Sequence, residues 1–316
     1  MKLMERGGFV GMVLAEWRKA AGRGLAWAVL LFGMLHGVVA VGMLKAGEMA
    51  ESQFATEATD SLTWLVAGEL AVSLASAPVN GLALLLLYAM IWAEDFSLGT
   101  IAMLFVRPVA RWSVFAAKCT VAIEAALLSM TLALVTGLVL GLPLFGLEGD
   151  LTKIGPDTPF IGWMGTADGV VLPMLLGVFA GAAVTLPALG CAAMLGALTR
   201  SPVLTLFGSM MALLADVGVA FVTTLWSGFA RGACTTAAQK AGTIKTPADL
   251  DDLECPKAEL PEAIHDATIW ASRDFLGARG EPEFWTEAGA SVAITFGWAG
   301  LMLLLGLLLF VKRDVS

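Results

Sequence analysis

Six long apolar stretches constrain the fold more than anything else in the chain: Leu25–Leu44, Leu74–Trp92, Cys119–Leu142, Val170–Leu198, Val203–Trp226 and Ala288–Val311. Crossing about 30 Å of hydrocarbon takes roughly 20 mostly apolar residues. Backbone groups in lipid must also be satisfied within the segment or in a closed barrel. Barrel strands would run about ten residues with alternating polarity, and these stretches do neither. They predict six transmembrane helices and an all-α integral membrane protein. Composition agrees, with 58% hydrophobic and 15% charged residues, against about 45–50% and 25% in soluble domains. A charged segment precedes the first apolar run, which suits a retained anchor better than a cleaved signal peptide. The net charge of −8 and the lack of a basic stripe disfavour nucleic acid as a partner.

Orientation follows the lysine and arginine bias of the short flanks. Lys2, Arg6, Arg18, Lys19 and Arg23 precede the first span; Arg107, Arg111 and Lys118 lie between the second and third; Arg200 lies between the fourth and fifth; Lys312 and Arg313 end the chain. The alternating segments are acidic: Glu48, Glu51, Glu57, Asp60 and Glu69 in one, Glu148, Asp150, Asp157 and Asp168 in the next. This predicts six spans with both termini cytoplasmic, in the cytoplasmic (inner) membrane. The domains then read as residues 1–24, a cytoplasmic N-terminal segment; 25–226, the first five spans with a cytoplasmic loop at 93–118; 227–287, an outer loop; and 288–316, the sixth span and tail. The stretch Ser61–Asn80 reads as a helix that starts before the membrane and bends near Pro78, and Pro173 and Pro187 predict kinks in the fourth span. Gly33/Gly37, Gly137/Gly141 and Gly177/Gly181 have the spacing that lets helix backbones approach closely.

The outer loop 227–287 is long enough for a small helical cap. Thr246, Pro247 and Asp249 form a helix start, and Leu260, Ile264 and Ala267 repeat with helical spacing. Cys234 and Cys255 are the two cysteines on the outer side, and a disulfide between them would staple the cap. Two free thiols are the alternative.

No P-loop, no His-Glu-x2-His and no Cys-x2-Cys is present, so the chain carries neither that ATPase device nor a common metal motif. It is not expected to be an enzyme or to bind a cofactor or metal itself. Ionisable residues inside spans are costly, which makes them functional candidates. Asp216, near the middle of the fifth span, is expected to face a central cavity or subunit interface. Glu124, near the cytoplasmic end of the third, is expected to make an ion pair. His36 in the first span is expected to hydrogen-bond a neighbouring helix.

One stretch is left over, WAEDFSLGTIAMLFVRPVARWSVFAAK, from Trp92 to Lys118. Glu94 and Asp95 end the second span. Leu98, Ile101 and Phe105 can share one face of a short helix over about Leu98–Val106, which Pro108 interrupts. Arg111 and Lys118 open the third span. An apolar cytoplasmic helix needs a cover, and a soluble motor subunit would supply one.

The pattern of an acid (Asp95 or Glu94), Gly99-Thr100, Pro108, Arg111 and Lys118 after a second span resembles the permease subunits of type-2 ATP-binding cassette (ABC) exporters. LAEWRKAAGR (Leu14–Arg23) is similar to their amphipathic interface helix, and the ending LLFVKRDVS is similar to their final span and tail. The resemblance implies that residues around Gly99–Pro108, with Arg107, form a coupling helix docked in a separate nucleotide-binding subunit. It further implies ATP and magnesium bound in that subunit, two ATPase copies, a second copy of this permease or a related one, and a substrate path between the permeases. The runner-up is a component that transmits ATPase-driven force to an outer partner on residues 227–287 without passing substrate.

Overall fold

The computed structural model describes residues 8–22, 24–51, 64–76, 78–97, 110–145, 171–240 and 284–312, with 255, 260, 261, 263, 264 and 268. Among these residues there are helices and no strand. The long elements are α1 (Gly8–Gly22), α2 (Leu25–Glu51), α3 (Trp64–Ser76), α4 (Pro78–Ser97), α5 (Arg111–Phe145), α6 (Val171–Val184), α7 (Leu186–Thr199), α8 (Pro202–Lys240) and α9 (Phe284–Lys312). Among the described residues, five helical stretches are long and apolar enough to cross a membrane: Trp27–Ala46, Arg111–Phe145, Gly177–Thr199, Pro202–Ala238 and Val292–Lys312. Large apolar side chains such as Leu31, Phe207, Phe221 and Leu304 lie on their outer faces. These are the marks of a multi-pass membrane protein.

The stretch predicted as a second span is divided. α3 ends at Ser76 and α4 begins on Pro78, where a missing backbone N–H costs nothing in the first helical turn. The apolar part of α4, Leu84–Ala93, is shorter than a full span. The fourth predicted span also breaks, at Thr185, between α6 and α7. The Thr185 hydroxyl donates to the Ala182 carbonyl at 2.7 Å and accepts from the buried Tyr88 hydroxyl at 3.0 Å. The break is thereby bonded to α4 and costs no unsatisfied polar group. Pro187 starts α7 and Arg200 ends it in the left-handed region (φ 57), its N–H closing onto Gly196 O at 3.1 Å. Gly24, at φ 71, makes the turn from α1 into α2, a conformation that glycine adopts without a side-chain clash.

Packing depends on small residues. A Cβ on Gly33 would lie 2.5 Å from Ser129 O, and one on Gly37 would lie 2.7 Å from Gly137 N, so α2 and α5 meet backbone to backbone. Gly137 also admits α3, its Cβ position falling 2.6 Å from Ala67 O. Gly190 and Gly306 bring α7 and α9 together in the same way. Close approach of this kind replaces the hydrophobic drive that lipid removes.

α8 departs most from expectation. The apolar run ends at Trp226, but the helix continues to Lys240, giving it 39 residues in all, about 58 Å at 1.5 Å per residue. Near its far end Cys234 is joined to Cys255 by a disulfide, with a Cα–Cα distance of 6.0 Å. The bridge spans 21 residues of sequence, a loop whose closure is worth about 3 kcal/mol in the chain-entropy model. Reduction should therefore speed proteolysis between the two cysteines by roughly a hundredfold, and a Cys234→Ser/Cys255→Ser protein should be equally sensitive with or without reductant.

Candidate functional site

Four elements converge at one end of the bundle: α1, the end of α4, the start of α5 and the end of α9. The reason is chemical. Lys118, about two turns into α5, is fully buried, and an ammonium there needs all three of its N–H groups matched. It donates to Asp95 Oδ2 at 2.6 Å, to Glu16 Oε2 at 3.2 Å and to the Ile91 carbonyl at 2.7 Å. Lys19, on α1, completes the set by donating to Glu16 Oε1 at 2.6 Å and Asp95 Oδ2 at 3.1 Å. Among the described residues two carboxylates meet two ammonium groups, so each buried charge has an opposite partner. Lys118 and Asp95 expose 1% and 3% of their side chains and Glu16 exposes 9%, whereas Lys19 exposes 31%.

Asp95 sits in the last turn of α4, past its apolar run. Burial alone would raise its carboxyl pKa. The ammonium groups of Lys118 and Lys19 outweigh burial and hold it well below the usual carboxylate range. A depressed carboxyl adds stability that is complete above the unfolded value near pH 4 and is lost as pH falls through the lower folded value.

An aromatic layer lies one turn deeper. Trp92 stands with ring centroids 4.5 Å from Phe115 and 6.3 Å from Phe310, joining α4, α5 and α9. Gly196 gives Trp92 room, since a Cβ there would lie 2.7 Å from Trp92 Cβ. The Trp92 indole N–H is buried and has no partner among the described residues. Arg111 donates from Nη1 to the Val311 carbonyl at 2.8 Å, satisfying one of the free carbonyls in the last turn of α9. That nitrogen is therefore already engaged within the chain, on backbone.

The other predicted residues fall as follows. Glu94 belongs to α4, but its side chain lies outside the described residues. Leu98, Gly99, Thr100, Ile101, Phe105, Arg107 and Pro108 lie outside them entirely. Glu124 accepts a hydrogen bond from the Trp17 indole of α1, where an ion pair was expected; α1 lies across α5 and presents a neutral donor at that level. His36 donates from Nδ1 to Phe32 O at 2.6 Å in its own helix, and not to a neighbour, because the carbonyl one turn back is within direct reach. Asp216 is half-buried on α8.

Glu16 is the member of this network that sequence reasoning misses. One signal was available: it is an acid three residues before Lys19, in a flank that holds five basic residues. That spacing usually marks a solvated helix pair, and nothing local distinguishes this one.

No curated protein and no solved structure matches the chain. A family profile described as a protein of unknown function (DUF2705) matches residues 24–223, a range that holds Asp95, Lys118 and Glu124 but neither Glu16 nor Lys19. As that match covers more than half of the sequence, the chain belongs to the DUF2705 family.

Proposed function

We propose that the chain is the membrane-spanning permease subunit of a type-2 ABC exporter, driven by ATP hydrolysed with magnesium in a separate nucleotide-binding subunit. The observation that carries the reading is the bond between Lys118 and Asp95. These residues flank the segment 98–109, which resembles a coupling helix, and Glu16 ties the same point to α1. Movement of a docked ATPase at that segment would reach α4, α5 and α1 together, because one buried network joins all three. Both termini and Arg200 lie on the cytoplasmic side in this reading, and the Cys234–Cys255 bridge lies outside, where disulfides persist. The remaining partner is a second copy of this permease or a related one.

Phe105→Asp tests it. A buried Phe contributes about 2 kcal/mol from area alone, and a carboxylate in its place would add an unpaired buried charge. The paired ATPase should no longer co-purify, while permease yield stays unchanged because the spans are untouched. Undiminished co-purification and ATPase stimulation would refute docking at this segment.

One observation favours a second reading. α8 is about 28 Å longer than the hydrocarbon it would cross and ends in a disulfide-linked segment. A stiff projection suits force transmission to an outer protein partner. An ATPase stimulated in vesicles that move no substrate, with a partner retained on residues 227–287, would support it over export.

A further inference from the structure

α1 carries three charged residues and sorts them. Glu16 is turned into the bundle, Arg18 is exposed, and Lys19 keeps nearly a third of its side chain open. Phe9, Val10 and Leu14 are exposed as well. The surface that α1 turns away from the protein is thus apolar and cationic, with no acid on it. Gly24 joins α1 directly to α2, which holds that surface at the edge of the membrane. An apolar and cationic helix face at that depth is complementary to acidic lipid: its apolar side chains enter the headgroup boundary and its cations meet phosphate. Lys19 has the most open surface among the described members of the ion network. Lys118 has all three donors engaged and is closed off.

We propose that α1 senses the charge of the membrane surface. Phe9, Val10 and Leu14 seat it among the lipids, Arg18 and the open side of Lys19 take the phosphates of acidic headgroups, and Lys19 is shared between lipid and the Glu16–Asp95 pair. A headgroup that draws on Lys19 weakens its bond to Asp95, while Lys118 still donates to both Asp95 and Glu16. Acidic lipid therefore loosens the last turn of α4 without opening the network. The inference goes beyond the exporter reading and requires no ATPase, so either can fail alone.

The test uses the full chain in nanodiscs of phosphatidylcholine, with and without phosphatidylglycerol. A fluorophore on Leu14→Cys should be quenched by brominated lipid, more strongly when phosphatidylglycerol is present, with the parent protein correcting for labelling at Cys119. Amide exchange over residues 91–97 should be severalfold faster in the acidic discs. Lys19→Gln should abolish that difference in exchange, and Arg18→Gln, at an exposed position, should reduce the difference in quenching without touching the network. An unquenched Leu14 probe would mean that protein and not lipid covers this face. Equal exchange rates in the two lipids would overturn the sharing of Lys19.

Discussion

Lys118→Met should destabilise the protein by about 3–5 kcal/mol, the range for removing one partner from a buried ion pair. The loss does not come from the Coulomb attraction of the wild-type network, because desolvation offsets much of that. It comes from what is left behind: Asp95 at 3% exposure and Glu16 at 9%, both without the Lys118 ammonium. The double variant Lys118→Met/Asp95→Asn should recover most of the loss. Glu16 and Lys19 then remain as a balanced pair 2.6 Å apart, and the amide can donate where the carboxylate could only accept. Chemical or thermal unfolding in detergent would measure both, and the double-mutant cycle should show a coupling of at least about 2 kcal/mol. Losses that merely add would mean the two groups do not share a network. The recovered double variant also separates structure from coupling. If the network transmits ATPase movement, the protein should be folded and still fail to stimulate its ATPase, whereas a staple with no other role would leave stimulation intact.

What the sequence could reveal depended on the range of the physics. Spans were readable because lipid forces each apolar run to satisfy its own backbone, a local condition. The break before Pro78 was readable for the same reason. The length of α8 was not, because hydropathy falls after Trp226 while the alanine-rich stretch that follows keeps the helix going. Asp95 and Lys118 stood out through the family resemblance, yet nothing in that pattern says that they touch. Glu16 lies 102 positions from Lys118, so only the folded bundle could bring it there. The pairing of α2 with α5 was half legible: the Gly33/Gly37 spacing suggested a close approach but could not name Ser129 or Gly137 as the other surface.

That approach supports the second large effect. Gly37→Val should separate α2 from α5 and cost about 1–3 kcal/mol or more. A Cβ at position 37 would fall 2.6 Å from Thr136 Cβ, 2.7 Å from Gly137 N and 2.9 Å from Ala133 O. Two of those three neighbours are backbone atoms of α5, which no rotamer change can move, so the helices themselves must part. The disturbance should spread, because Gly137 also holds α3 against α5. Gly42 provides the control within the same helix. Nothing lies within 4 Å of a Cβ there, so Gly42→Val should be close to neutral. Thermal unfolding followed by size-exclusion in detergent would compare them, with a clear loss for Gly37→Val against a wild-type-like Gly42→Val. Equal behaviour would mean that the α2–α5 contact is looser than its backbone distances imply. A selective loss at Gly37 would identify α2, α3 and α5 as the rigid part of the bundle, against which the Asp95–Lys118 end has to move.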